Sequence, residues 1–308
     1  MQRQNRITEG SIWKEVLIFF FPIVISAFFQ HFYTIVDGII VGQNLGDMAF
    51  SAVGGSASKI SVMLINFFVG VSSGITAYAS RFYGKQDLRS VKQVIFNGSF
   101  IFIILGIVIS VLGFIMTPKL LSAMYTPVET MGYAVVYLRT FLSGLIFCIM
   151  YNTFSGVLRA IGDAKTPLYV LIFCSFVNII LDILFVVVCK WDVFGVAFAT
   201  LIAQFMSAII LGMLLYKRLA HEKMKVYIDG EMIKDICKIG IPAGLQSIMY
   251  GLSNILVQGA INGFGYITVT AWAAYVKIDN IVDIFVSSLA STVITFVGQN
   301  LGAGNIDR

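Results

Sequence analysis

The chain has 308 residues, 58% of them apolar and 12% charged, with a formal net charge of +5. Soluble domains carry about 25% charged residues, so this composition leaves too little charge to cover a water-facing surface. The positive balance does not point to nucleic acid either, because the Lys and Arg residues gather in alternate loops rather than on one face.

The apolar residues fall into eight blocks, and a span of about 20 residues crosses the roughly 30 Å of hydrocarbon in a bilayer. The first, 15–43, is too long for the apolar region of a signal peptide and has no small-residue cleavage site before polar sequence, so it is a retained helix. It carries Pro22, Gln30, Thr34 and Asp37. The second, 51–80, includes Lys59. The third, 93–117, contains the run Ile101–Val111, which does not alternate as barrel strands do. The fourth, 132–158, carries Tyr137, Arg139 and Asn152. The fifth, 167–189, carries Asn178 and Asp182, and the sixth, 193–216, carries Thr200. After a mixed-charge connector come 235–262, with Pro242, and 268–298, with Lys277, Asp279 and Asp283. The fold class is an all-α membrane protein, a polytopic helical bundle. Its four cysteines, Cys148, Cys174, Cys189 and Cys237, form no metal-binding or CxxC set and are packing residues.

With the N-terminus inside, roughly sixteen basic residues fall on the inner side against two, Lys119 and Lys190, outside, and the bias alternates loop by loop. This predicts a multi-pass protein of the cytoplasmic (inner) membrane with a cytoplasmic N-terminus. Shifting the chain on itself by about 220 residues aligns Pro22 with Pro242, Gly46 with Gly265, Lys59-Ile60 with Lys277-Ile278, Phe67 with Phe285, and Gly84–Asp87 with Gly302–Asn305. Six helices separate the copies, so the repeats are parallel. The expected layout is an N-terminal lobe of six helices over 1–216, a cytoplasmic linker over 217–234, and the first two helices of a second lobe over 235–308. Twelve helices would complete two such repeats, so a sequence truncated at the C-terminus is expected.

Each ionisable group at membrane depth needs an explanation. Gln30, Thr34 and Asp37 share a helical face by their spacing. Ser175, Asn178 and Asp182 do likewise on the fifth helix, and Thr200, Gln204 and Ser207 on the sixth. The stripes are expected to meet in the outer half of the first lobe, with Tyr137 entering from the outer end of the fourth helix. Two carboxylates, an amide oxygen and a hydroxyl make a cage for a hard monovalent cation; alternatively, the carboxylates share a proton. Pro22 and Pro242 are expected to bend their helices. Lys277 has Asp279 and Asp283 as candidate ion-pair partners. His31 reads as a packing or interfacial residue, and Arg139 as one that snorkels to the outer interface. No zinc pair, Ser/Lys dyad or phosphate loop stands out, so no enzyme is expected.

These residues carry a resemblance. PIVISAFFQHFYTIVDGIIVGQNLGDMAFSA (Pro22–Ala52), LRAIGDAKTP (Leu158–Pro167) and VGQNLGAGN (Val297–Asn305) resemble segments of the multidrug and toxic compound extrusion (MATE) family. The resemblance covers essentially this whole chain but only about two thirds of a full-length member. It implies two six-helix lobes about a central cavity, alternating access, and H+- or Na+-coupled antiport of small amphipathic, often cationic, compounds, with no cofactor beyond that ion. It also implies that Asp37, Asn178, Asp182 and Thr200 form the coupling site, that Gln30, Thr34, Tyr137 and Asn152 line the cavity, and that Pro22 is the helix bend. A monomer in the lipid bilayer is expected, with no nucleic-acid partner. The seventh helix, Lys238–Asn262, has no carboxylate, which favours the first-lobe site and the DinF-like branch. The rival readings are a lipid-linked saccharide flippase of related architecture, which Lys59 and Lys277 would suit, and a non-transporting fragment.

Overall fold

A chain this apolar must satisfy its backbone hydrogen bonds inside each segment. The computed structural model describes residues 6–220, 226–264 and 266–308, and among them every regular element is a helix. In chain order these are α1 (Arg6–Glu9), α2 (Ile12–Leu45), α3 (Asp47–Gly54), α4 (Ser56–Gly84), α5 (Leu88–Ala123), α6 (Val128–Ser143), α7 (Leu145–Ala160), α8 (Lys165–Asp182), α9 (Asp192–Leu219), α10 (Gly230–Asn262) and α11 (Tyr266–Ala303). All eight apolar blocks are therefore helical. Six stretches are long and apolar enough to cross a membrane, and the α6–α7 pair, bent by 49° at Gly144, makes a seventh. The exception is α10, whose Gly, Ser, Gln and Asn residues dilute its apolar character.

Short polar signals set the ends. Asp87 caps α5, accepting from the Ser90 amide at 3.0 Å, and Asp229 caps α10, accepting from Glu231 and Met232. Such caps satisfy amides that have no partner within the helix. Between α2 and α3, Gly46 adopts φ 84°, a left-handed value that a side chain resists. Both α2 and α10 run unbroken through Pro22 and Pro242, and α6 and α7 meet at Gly144 with a bend of 49°. Beyond Asp182, the fifth block leaves α geometry for a π-helical turn over Ile183–Val188, where a plain helix was expected.

In the first lobe, α2 packs on α8, α8 on α9, and α7 on both α4 and α9. The remaining helices, α10 and α11, lie along α4, and there glycines bring backbones together. A Cβ at Gly74 would sit 2.4 Å from the Ile236 carbonyl oxygen, and one at Gly70 2.7 Å from the Gly244 nitrogen. Further along, a Cβ at Gly84 would sit 2.0 Å from the Gln299 carbonyl oxygen, and one at Gly302 2.0 Å from that of Arg81. Small residues permit such approach where lipid gives no hydrophobic drive.

The linker is shorter than the expected 217–234, because α9 continues to Leu219 and α10 starts at Gly230. Lys217 and Arg218 end α9, where cations complement the helix dipole. Residues 221–225 lie outside the described residues. Tyr227 and Asp229 are docked on α5 by two buried amides. Gln93 donates to the Tyr227 carbonyl, Asn97 donates to the same oxygen at 3.1 Å, and the Asp229 amide donates back to Asn97 at 2.8 Å. The leading helix α1 is held similarly, as Asn300 and Asn305 donate to the Ile7 and Thr8 carbonyls and Arg308 to that of Gly10.

Candidate functional site

Three helices build the polar cluster. Asp37 stands eight residues before the end of α2, about 12 Å along the axis. Asp182 closes α8, with Asn178 and Ser175 on the turns below it. Thr200, Gln204 and Ser207 come from α9. Because α2, α8 and α9 pack on one another, these faces converge. Asp37 is 9% exposed and Asp182 0%, and their carboxyl groups face each other within hydrogen-bonding reach. Two ionised carboxylates are both acceptors, so this contact is favourable only with a proton between them or a cation beside them.

Below the pair lies a small space of about 20 Å³, lined by Tyr33, Ser175, Asn178, Thr200, Gln204 and Ser207 together with Leu171, Cys174 and Ala203. That volume suits one water-sized occupant. Buried polar atoms nearly always find partners, yet thirteen buried side-chain atoms among the described residues have none, and seven belong to this cluster. They are one oxygen of Asp37, both of Asp182, both polar atoms of Asn178, the Ser175 hydroxyl and the Gln204 carbonyl oxygen. Thr200 and Ser207 donate their hydroxyl protons to the Val196 and Ala203 carbonyls at 3.1 and 2.8 Å, which leaves oxygen lone pairs free to accept. The cluster is thus rich in oxygen acceptors, with the Asn178 amide nitrogen and the Ser175 hydroxyl as unpartnered donors among them.

One helical turn beyond these residues, Val41, Val186, Val193 and Val196 join Ala49 in a buried apolar plug flanked by Tyr133 and Tyr137. Val41 follows Asp37 by four residues on α2, so the α-helical period aligns plug and site there, while Val186 lies in the π-helical turn four residues after Asp182. Tyr137 lies within electrostatic reach of both carboxyls. The plug separates the carboxyl pair from that end of the bundle.

The four predicted coupling residues, Asp37, Asn178, Asp182 and Thr200, are therefore brought together. The first stripe needs correction. Thr34 is exposed and bonds the Gln30 carbonyl at 3.0 Å, while Tyr33, not singled out from the sequence, enters the cluster. Both flank Asp37 on the helical wheel, Thr34 at three and Tyr33 at four residues' distance, and packing against α8 selects Tyr33. Gln30 is half-buried and pairs with the Tyr33 hydroxyl. Asn152 is half-buried on α7 and donates to the Cys148 carbonyl at 2.8 Å. Pro22 is buried and Pro242 exposed. His31 and Lys59 are exposed. Arg139 stacks over the Phe114 ring at 4.9 Å. Asp279 accepts from Tyr275 and Asp283 from Ser287, whereas the side chain of Lys277 lies outside the described residues.

Residues 22–184 match the MatE family. Two relatives from Bacillus subtilis (strain 168) are each 29% identical to this chain. The probable multidrug resistance protein YpnP is aligned over 98% of this chain and 68% of its own length, and the probable multidrug resistance protein YoeA over 98% and 67%. The chain thus spans about two thirds of each. A solved structure described as the outward-facing conformation of a multidrug resistance MATE family transporter superposes with a TM-score of 0.89 at 23% identity, over 98% of this chain and 68% of that one. With more than half its length matching the family and its fold shared with a solved transporter, the chain belongs to the MatE, or multidrug and toxic compound extrusion, family.

Proposed function

We propose that this chain exports amphipathic organic compounds in exchange for H+ or Na+, and that Asp37 and Asp182, with Asn178 and Thr200, hold the ion. The supporting observation is the concentration of unpartnered oxygens around two facing, buried carboxyl groups. The names of the relatives support drug as the other substrate. The lack of a carboxylate between Lys238 and Asn262 favours a coupling site in the first lobe. The positive-inside bias supports a cytoplasmic N-terminus in the inner membrane.

Coupling requires that the ion bind one arrangement of the helices more tightly than the other, since equal affinity shifts nothing. Here the differential element is the α2–α8 contact. A bound cation or proton holds the carboxyls together, and its release leaves two like charges in a poorly solvated space. At about 4 Å and an effective dielectric near 20, one unit charge is worth roughly 4 kcal/mol. Replacing Asp37 by Asn therefore weakens cation binding by about a thousandfold. The test is drug-driven cation movement in proteoliposomes carrying wild type, Asp37→Asn or Asp182→Asn. Loss in both variants is expected, and undiminished exchange in either refutes the assignment.

A further inference from the structure

A second cavity lies outside the carboxyl cluster and shares no lining residue with the space below it. Both α5 and α9 pack on α7, and between them opens a cavity of about 390 Å³, in the range of roughly 300–1,000 Å³ typical of ligand sites. Its walls include Ser99 of α5 and Tyr216 of α9, its floor Phe154 of α7, and its end Val226 of the linker. The missing side chain at Gly212 admits the Phe154 ring, since a Cβ there would lie 3.1 Å from its edge.

The chemistry of this cavity is graded along its length. Lys92 stands at the end of the bundle where the Lys and Arg residues gather, with Arg89 one turn before it and exposed Lys217 beside Tyr216. Seven residues deeper, about 10 Å along the helix, the Ser99 hydroxyl is buried without a hydrogen-bond partner. Beyond it on α5 the wall is apolar, with Phe100 and Ile103, and Ile95 on α5 and Leu215 on α9 are apolar nearer the rim. Cation at the rim, a lone hydroxyl at ester depth and an apolar trough below match the order of phosphate, ester and acyl chain in a phospholipid. Basic pockets between helices at this level are sites for anionic head groups.

We infer that the α5–α7–α9 groove is a binding site for one anionic phospholipid of the adjoining leaflet, its phosphate at Lys92 and one acyl chain over Phe154. The occupant is anionic because the rim is cationic, and it is a lipid because the groove opens sideways between spanning helices, with Phe96 and Phe100 each 36% exposed.

The experiment reconstitutes the chain in vesicles containing phosphatidylglycerol or phosphatidylcholine with a photoreactive acyl chain, and maps the adducts by mass spectrometry. Adducts are expected on 95–103 and 212–219, in preference from phosphatidylglycerol. Lys92→Gln lowers that preference about fivefold, the effect of one basic residue near a charged surface, and Ser99→Trp, which fills the trough, abolishes labelling there. Lys92→Gln sits at the rim and decides the matter even if the Trp variant folds poorly. Asp37→Asn leaves labelling unchanged, which separates this site from the coupling site. Adducts spread evenly over the lipid-facing helices, or equal labelling by the two lipids, would overturn the inference, as would a preference insensitive to Lys92→Gln.

Discussion

Replacing Asn97 with Leu tests whether the linker is a fixed strut. In the wild type the Asn97 amide donates to the Tyr227 carbonyl at 3.1 Å and accepts from the Asp229 amide at 2.8 Å, while Asn97 itself is fully buried. Each such bond contributes about 1 kcal/mol net, so losing both costs roughly 2 kcal/mol, or about thirtyfold in the local opening equilibrium. Leu supplies similar bulk without polar atoms, so the helix α5 itself should persist. Hydrogen exchange followed by mass spectrometry reads the result directly: amides at 227–229 should exchange about thirtyfold faster, while those at the centre of α5 stay protected. Gln93 still donates to Tyr227, so loosening should be greatest at Asp229. Unchanged exchange at Asp229 would refute the reasoning, because it would mean the α10 cap and not Asn97 holds the segment.

Three other outcomes are expected. Gly84→Val places a side chain against the Gln299 backbone, where even a Cβ would be 2.0 Å from the carbonyl oxygen; overpacking of about 1–3 kcal/mol should lower the melting temperature of the detergent-solubilised protein. Ala203→Val should fill the 20 Å³ space lined by Asn178 and Thr200 and abolish cation-dependent thermal stabilisation without removing any polar group. At the basic end, burial alone would raise the Asp163 carboxyl, but hydrogen bonds from Thr166 and the charge of Arg218 outweigh it and hold it below the usual carboxylate range. A depressed folded value contributes stability above the unfolded value of about 4 and loses it as pH falls through the folded value. Arg218→Gln should therefore lower the melting temperature near neutral pH and flatten its decline below about pH 4, measured by a pH series.

The helices and the polar cluster were legible in the sequence because both rest on simple periods. Block length gives the span, and an acid every few turns in an apolar block is conspicuous. Tyr33 was hidden because an aromatic residue in an apolar helix looks like packing; only the neighbour across the interface distinguishes it from Thr34. The π turn at Ile183–Val188 was hidden for a similar reason, since Ile, Leu, Phe and Val carry no signal for one backbone register over another. The Gly144 bend interrupts a run whose composition reads as one span, although glycine there was visible. Asn97 and Gln93 carry no distinguishing mark in the sequence, and their role in holding the linker appears only once Tyr227 lies against them.

The contact between α4 and its neighbours has a mechanical consequence. Side chains that interlock must change rotamer to come apart, and each change adds to the barrier. At Gly70, Gly74 and Gly84 the surfaces are main chain against main chain, with no knobs to withdraw. Such faces can part or slide as smooth plates, without a rotamer change to oppose them.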